Sequence, residues 1–273
     1  MKRYGHLSLI TILGILGLAL VFGFTGCDPN GDDDDDQPGN DRPATGLNLP
    51  AIDEPTTGLS TVTVTDYDLG DEWNDTSISD NTYITVSKAG SPSESVGTWS
   101  VTAGKLALEI TEAPSADATI GVADLNGVNV DEYGSIFGRT DAGYELTIDP
   151  TDSAARFGIA SFGYFDINDQ STRYDLDRSA RVSDETTYSD SSVIDYVYVS
   201  ADVTITRAEK AWTETYTEGT YNMTYAAINL PLKAGWNLVQ RDTYMTSNSE
   251  TITIKIADKN VPWELVDESD EEE

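Results

Sequence analysis

One histidine and one cysteine are all that this 273-residue chain contains of either, and both, His6 and Cys27, fall within its first 27 positions. From residue 28 onward there is neither an imidazole nor a thiol. That excludes Ser-His-Asp and Cys-His nucleophile chemistry, disulfides, and the usual zinc and copper sites, each of which needs one of those side chains. Basic residues are also scarce: 16 lysines and arginines face 48 aspartates and glutamates, a formal net charge of -32. So negative a surface repels nucleic acid and anionic headgroups, and no nucleic-acid partner is expected. The chain has no Gly-x-Ser-x-Gly, no Ser-x-x-Lys and no glycine-rich phosphate loop. Between residues 58 and 263 no stretch of ten or more residues repeats with the 3.6 period of a helix.

What is present starts with Lys2 and Arg3, followed by an apolar segment from Leu7 to Phe24 broken only by Ser8, Thr11 and three glycines. A positive start and an apolar core are the layout of a secretory signal. Phe24-Thr25-Gly26-Cys27 closes it with small residues directly before the cysteine, an arrangement that resembles the lipobox of bacterial lipoproteins, with Phe24 where leucine is usual. The resemblance implies cleavage after Gly26 and lipidation of Cys27, so residues 1-26 are read as a signal peptide. Two or more acyl chains give stable membrane anchoring. The competing reading is an uncleaved membrane helix, for which Leu7 to Phe24 lies at the lower edge of the ~17 to 25 residues required. Either way the positive end stays inside and the body lies outside the cytoplasmic membrane. The expected location is the cell envelope, lipid-anchored, with the outer membrane or cell surface favoured over the inner membrane.

Cleavage after Gly26 removes only the charges of Lys2 and Arg3, leaving 14 basic against all 48 acidic side chains. Residues 27-57 hold the run Asp32 to Asp36 and five prolines, too little apolar area to fold, and read as a disordered acidic tether. Residues 267-273 read as a disordered acidic tail. In between, residues 58-266 show period-two alternation: Val62 and Val64; Leu106, Leu108 and Ile110; Tyr144, Leu146 and Ile148; Ile252, Ile254 and Ile256. Such alternation means half-buried strands. Ala-Gly pairs, as at Ala103-Gly104 and Ala234-Gly235, supply the turns. About ten strands are expected over this body. The fold class is all-β, an antiparallel β-sandwich, one large or two small, with a lipocalin-like barrel as the alternative suggested by Gly97-Thr98-Trp99.

Candidate sites are fewer. Val193 to Thr206 reads as one long strand whose polar face carries Tyr196 and Tyr198. These two and Trp212 are the candidate ligand surface, for an extracytoplasmic protein or carbohydrate partner. Two acidic groups have spacings that suit calcium, which takes several hard oxygen ligands: Asp66, Asp68 and Asp71 around Gly70, and Asp166, Asn168 and Asp177 in an EF-hand-like register. Calcium is the one cofactor to consider. Residues 166-192 read as a long polar loop, either a binding loop or an insertion. No carboxylate pair stands out for glycoside hydrolysis, so no catalytic residue is named and a non-enzymatic role is expected, with a carboxylate-based glycoside hydrolase or a lipocalin-like carrier as alternatives.

Toward the C-terminal end, Asp195-Tyr196-Val197-Tyr198-Val199, Leu230-Pro231-Leu232-Lys233-Ala234-Gly235-Trp236-Asn237 and Pro262-Trp263 resemble a pattern in spirochaete-type envelope lipoproteins of unknown function, over residues 193-266. The resemblance implies a lipidated, envelope-attached β domain and carries no catalytic residue with it.

Overall fold

The computed structural model describes residues 47-79, 82-88, 93-127, 149-165, 173-183, 188-216 and 219-267. The first strands are β1 (Val62–Asp68), β2 (Ser77–Ile78), β3 (Tyr83–Val86), β4 (Glu94–Thr102) and β5 (Lys105–Ile110). Their alternation sends Leu106, Leu108 and Ile110 inward and leaves Lys105, Ala107 and Glu109 in water. Ala103 (φ 47°) and Gly104 (φ 71°) both lie in the left-handed region. Positive φ at both central residues matches the right-handed twist of the flanking strands, and β4 turns into β5 there as expected. β1 pairs with β5 through a register shift at Asp66, whose φ is 51°.

The middle of the chain supplies β6 (Ile120–Gly121), β7 (Asp149–Pro150), β8 (Arg156–Ser161), β9 (Gly163–Phe165), β10 (Arg173–Ser183) and β11 (Tyr188–Val199). The expected loop over 166-192 is therefore corrected: most of its described residues belong to two paired strands. The segment hid its strand because an arginine takes a core position. Leu176, Arg178 and Ala180 all point inward on β10, so the alternation is present with a cation in the middle of it.

The last strands are β12 (Val203–Arg207), β13 (Lys210–Tyr216), β14 (Gly219–Tyr225), β15 (Ile228–Leu232), β16 (Gly235–Thr246), β17 (Ser249–Ile256) and β18 (Trp263–Asp267). The expected single strand from Val193 to Thr206 is two. β11 ends at Val199, Ser200 to Asp202 turn the chain, and β12 joins another sheet. Asp202 holds that corner by accepting the Ala234 N–H at 2.9 Å and pairing with Lys233.

A 15-stranded sheet runs β1-β5-β4-β3-β8-β11-β16-β17-β14-β13, with β2, β6, β9, β10 and β18 attached beside this path, and a three-stranded sheet runs β15-β12-β7. The fold is all-β and sandwich-like, with one large sheet and one small. It is mixed rather than purely antiparallel, because β14 and β17 run parallel. Among the described residues no closed barrel forms, which sets the lipocalin-like alternative aside. Two cores lie on opposite faces of the central β11–β16 pair. Val197, Val199 and Val239 pack against Val203, Ile205, Leu230 and Leu232 of the small sheet. Ile194, Tyr196, Trp236 and Leu238 pack on the other side against residues of β1, β3, β4 and β5, so the large sheet folds back over itself. About 25 cal/mol per Å2 of apolar area makes these two layers the main stabilising contribution.

The expected tether ends earlier than residue 57. Leu47, Leu49 and Ile52 pack against the first core, the Ile52 N–H donates to the Asp258 carbonyl at 3.2 Å, and Ala51 bridges to Lys259. Three apolar side chains among conformationally restricted prolines offset the small ordering cost of this strap. Among the described residues no helix is long and apolar enough to cross a membrane.

Candidate binding surfaces

Tyr196 is not on an open face. It is 1% exposed, its ring stacks on Trp263 with centroids 5.6 Å apart, and its hydroxyl accepts from Arg178 at 2.8 Å. Burial pushes the phenol up to about 12, so it stays neutral. The polar parity of the strand misled because both faces of β11 are covered, and a tyrosine hydroxyl is satisfied inside a core by a buried donor. Tyr198 is half-buried, edge-on to Trp236 at 5.5 Å. Trp212 is half-buried on the other core, stacked on Tyr225 at 5.4 Å and donating its indole N–H to Glu214. The three aromatics do not form one surface.

The acidic candidates also separate. Asp66 occupies the bulge of β1. Asp68 accepts from the Gly70 N–H and pairs with Lys105, whose hydrogen bond holds its carboxyl below the usual range. Asp71 accepts from the Asn74 side chain at 3.2 Å. Among the described residues no three acidic side chains are grouped to hold a metal. Asp166 and Asn168 lie outside the described residues. Asp177 sits on β10, its carboxyl raised by desolvation and then by the like charges of Asp175 and Glu264.

A further surface, made by register rather than by any local motif, lies on the outer face of β1, β5, β4 and β3. Register places Thr63 opposite Glu109, Glu109 opposite Thr98, and Thr98 opposite Tyr83. Four side chains thus stand in one cross-strand row. Such neighbours have Cβ atoms about 4.5–5.5 Å apart. A second pair, Ser100 opposite Ala107, runs alongside, and the small Ala107 leaves a hollow. These six residues line a groove of about 540 Å3, within the roughly 300–1,000 Å3 of typical small-ligand sites. Tyr83 at its end is 53% exposed, the one exposed large apolar side chain among the described residues. Its signal was in the sequence: Ile84 and Val86 point inward, so period two turns Tyr83 outward.

Comparison with family models, with curated proteins and with solved structures returned no match. The resemblance over residues 193-266 accordingly rests on its own motifs.

Proposed function

We propose that this chain is a lipid-anchored cell-envelope binding module, held to the membrane through Cys27, whose β1–β5–β4–β3 face takes a neutral glycan. The observation that carries the reading is the row Thr63, Glu109, Thr98 and Tyr83. Threonine and serine hydroxyls both donate and accept, as sugar hydroxyls do, and Glu109 adds a strong acceptor. The flat Tyr83 ring offers an apolar platform for the C–H face of a sugar. The strongly negative chain selects against anionic polymers.

Two measurements test this. Intact mass of the protein recovered from membranes is expected to start at Cys27 with acyl chains added, and Cys27→Ala is expected to leave a precursor or a released chain. An unprocessed, unacylated protein would rule the anchor out. In calorimetric titrations with a panel of neutral hexasaccharides, Tyr83→Ala is expected to weaken binding about tenfold, equivalent to ~1.4 kcal/mol, while Tyr83→Phe keeps the platform and the affinity. Equal binding by the alanine variant would show that the face is not the site.

The hydrolase alternative gains one observation, since Asp177 and Asp195 line the same cleft. That cleft is about 200 Å3, smaller than the ~300 Å3 of sites for drug-sized ligands, and leaves no room for sugars on both sides of a scissile bond. Binding is the better reading.

A further inference from the structure

β11 has two partners along one edge. Its earlier part pairs with β10 as far as Ser179 opposite Val193, and its end pairs with β8 from Ile159 opposite Val197 to Phe157 opposite Val199. Between those pairings Ile194, Asp195 and Tyr196 have no register partner on that edge, so β8 and β10 part there as a fork. β9 returns to β10 through Gly163 opposite Asp175 and spans the opening. The fork encloses a cleft of about 200 Å3 whose walls include Ser161, Phe162, Asp175, Asp177, Asp195 and Trp263.

Three carboxylates line this small space, and the arginine that lines it with them is already committed. Arg178 donates to Tyr196, the Val261 carbonyl, Glu54 and Asn260. Asp195 stands apart, because its Oδ2 is buried and accepts no hydrogen bond. A buried carboxylate oxygen is costly unless a donor reaches it. Strand packing alone leaves that oxygen unserved, and the cleft gives a ligand access to the same residue.

We propose that the fork is a binding site for a primary alkylammonium group, whose N–H donors pair with the Asp195 carboxylate while its methylene stem lies along the cleft. An ammonium supplies both the missing donor and the opposite charge. A metal fits less well, since among the described residues no three acidic groups converge on one point. The cleft volume suits a linear amine end rather than a large ligand.

The electrostatics give the site a pH dependence. Burial pushes the Asp195 carboxyl up to about 6, opposed by Arg241 on β16 and helped by Asp177. The other charges facing the fork are Asp175, Asp177 and Arg178 on β10 and Glu264 on β18. Because the folded value is raised, Asp195 takes up a proton as pH falls through about 6 and stops attracting a cation.

The test titrates the detergent-solubilised full chain with cadaverine and with Nα-acetyl-lysine methylamide, at about pH 8 and about pH 5, on either side of the Asp195 titration. Tetramethylammonium and calcium chloride serve as comparators. At least one primary amine is expected to bind at the higher pH and to weaken about tenfold at the lower. Tighter cadaverine binding identifies a free amine as the natural ligand, and tighter binding of the lysine derivative identifies a partner's lysine end. Asp195→Asn is expected to abolish binding, and Tyr83→Ala to leave it unchanged, which keeps this site separate from the glycan face. Binding of neither amine, equal binding of tetramethylammonium or calcium, or binding that survives Asp195→Asn would overturn the proposal. Should the asparagine variant fail to fold, the pH dependence and the amine-to-tetramethylammonium ratio of the parent chain decide it.

Discussion

Gly97→Ala is expected to destabilise the body by about 3 kcal/mol or more, the high end for forcing atoms into a packed interior, and so to lower the melting temperature by roughly 6–12 °C at this chain length. The reason is steric. A Cβ built on Gly97 would lie 2.1 Å from the Glu109 carbonyl oxygen and 2.9 Å from the Ile110 Cα. Both are backbone atoms of the neighbouring strand β5 and cannot rotate away. Gly97 pairs with Ile110 on one side and Ile84 on the other, next to the register shift of β3, so strands on both sides restrict its movement. Thr98→Ala, one residue along and facing water, is the control, with an expected change within about 0.5 kcal/mol. Urea unfolding of the two variants measures the contrast. A Gly97→Ala loss below ~1 kcal/mol would mean the strands relax around the methyl group. Gly97-Thr98-Trp99 thus has a local explanation that needs no barrel: glycine for close approach, threonine outward, and a tryptophan 2% exposed in the core.

The second large effect is at Arg178. Its guanidinium is 5% exposed and donates to the Val261 carbonyl at 2.9 Å, the Tyr196 hydroxyl at 2.8 Å, Glu54 at 3.2 Å and Asn260 at 3.1 Å, while lying 5.8 Å from the Trp263 ring centroid. One side chain therefore ties β10 to β11, to the 47-57 strap and to the connection before β18. Arg178→Ala is expected to cost about 3–5 kcal/mol, because it leaves buried partners unsatisfied as well as a cavity. Arg178→Lys should recover less than half, since one ammonium cannot span the planar fork. Glu54→Ala should cost under ~1 kcal/mol, because the Glu54 side chain is 54% exposed and solvent screens the pair. If thermal unfolding gave Arg178→Ala and Glu54→Ala similar losses, the guanidinium would not be the clasp described here.

Several elements were legible because their information is local. The β4–β5 hairpin follows from Leu106, Leu108 and Ile110 on one parity and Ala103-Gly104 at the turn. Ile252 and Ile254 of β17 point inward for the same reason. β10 was missed because Arg178 holds a position that the alternation rule reserves for an apolar residue, and only Tyr196, Val261, Glu54 and Asn260 make that burial tolerable. Those partners lie 18, 83, 124 and 82 residues away in sequence, so no local window contains them. The 47-57 strap reads as tether for a related reason: its few apolar residues matter only once a core stands beside them.

The candidate sites divide in the same way. Cys27 is a sequence property, a cysteine after a small-residue run at the end of an apolar segment. Tyr196 looked exposed because β11 shows a polar parity, yet a second layer covers that face. Tyr83 looked ordinary until register aligned it with Thr98, Glu109 and Thr63 from three other strands. Asp195 was one acid among 48; the fork where β8 and β10 part made it a buried acceptor without a donor.

The sequence alone was enough for the class of the fold, the exclusion of histidine and cysteine chemistry after residue 27, and the signal-like start, because composition and period-two alternation act over a few residues at a time. Tertiary structure decided which faces are covered, how far the folded body extends, and which distant residues share a groove or a cleft. Those depend on the order in which strands pair. That order follows from contacts between segments up to about two hundred residues apart, such as the Trp263 N–H and the Tyr67 hydroxyl, 196 positions from each other, and loop closure over such spans adds little entropic cost with length, so many pairings compete until the cores choose one.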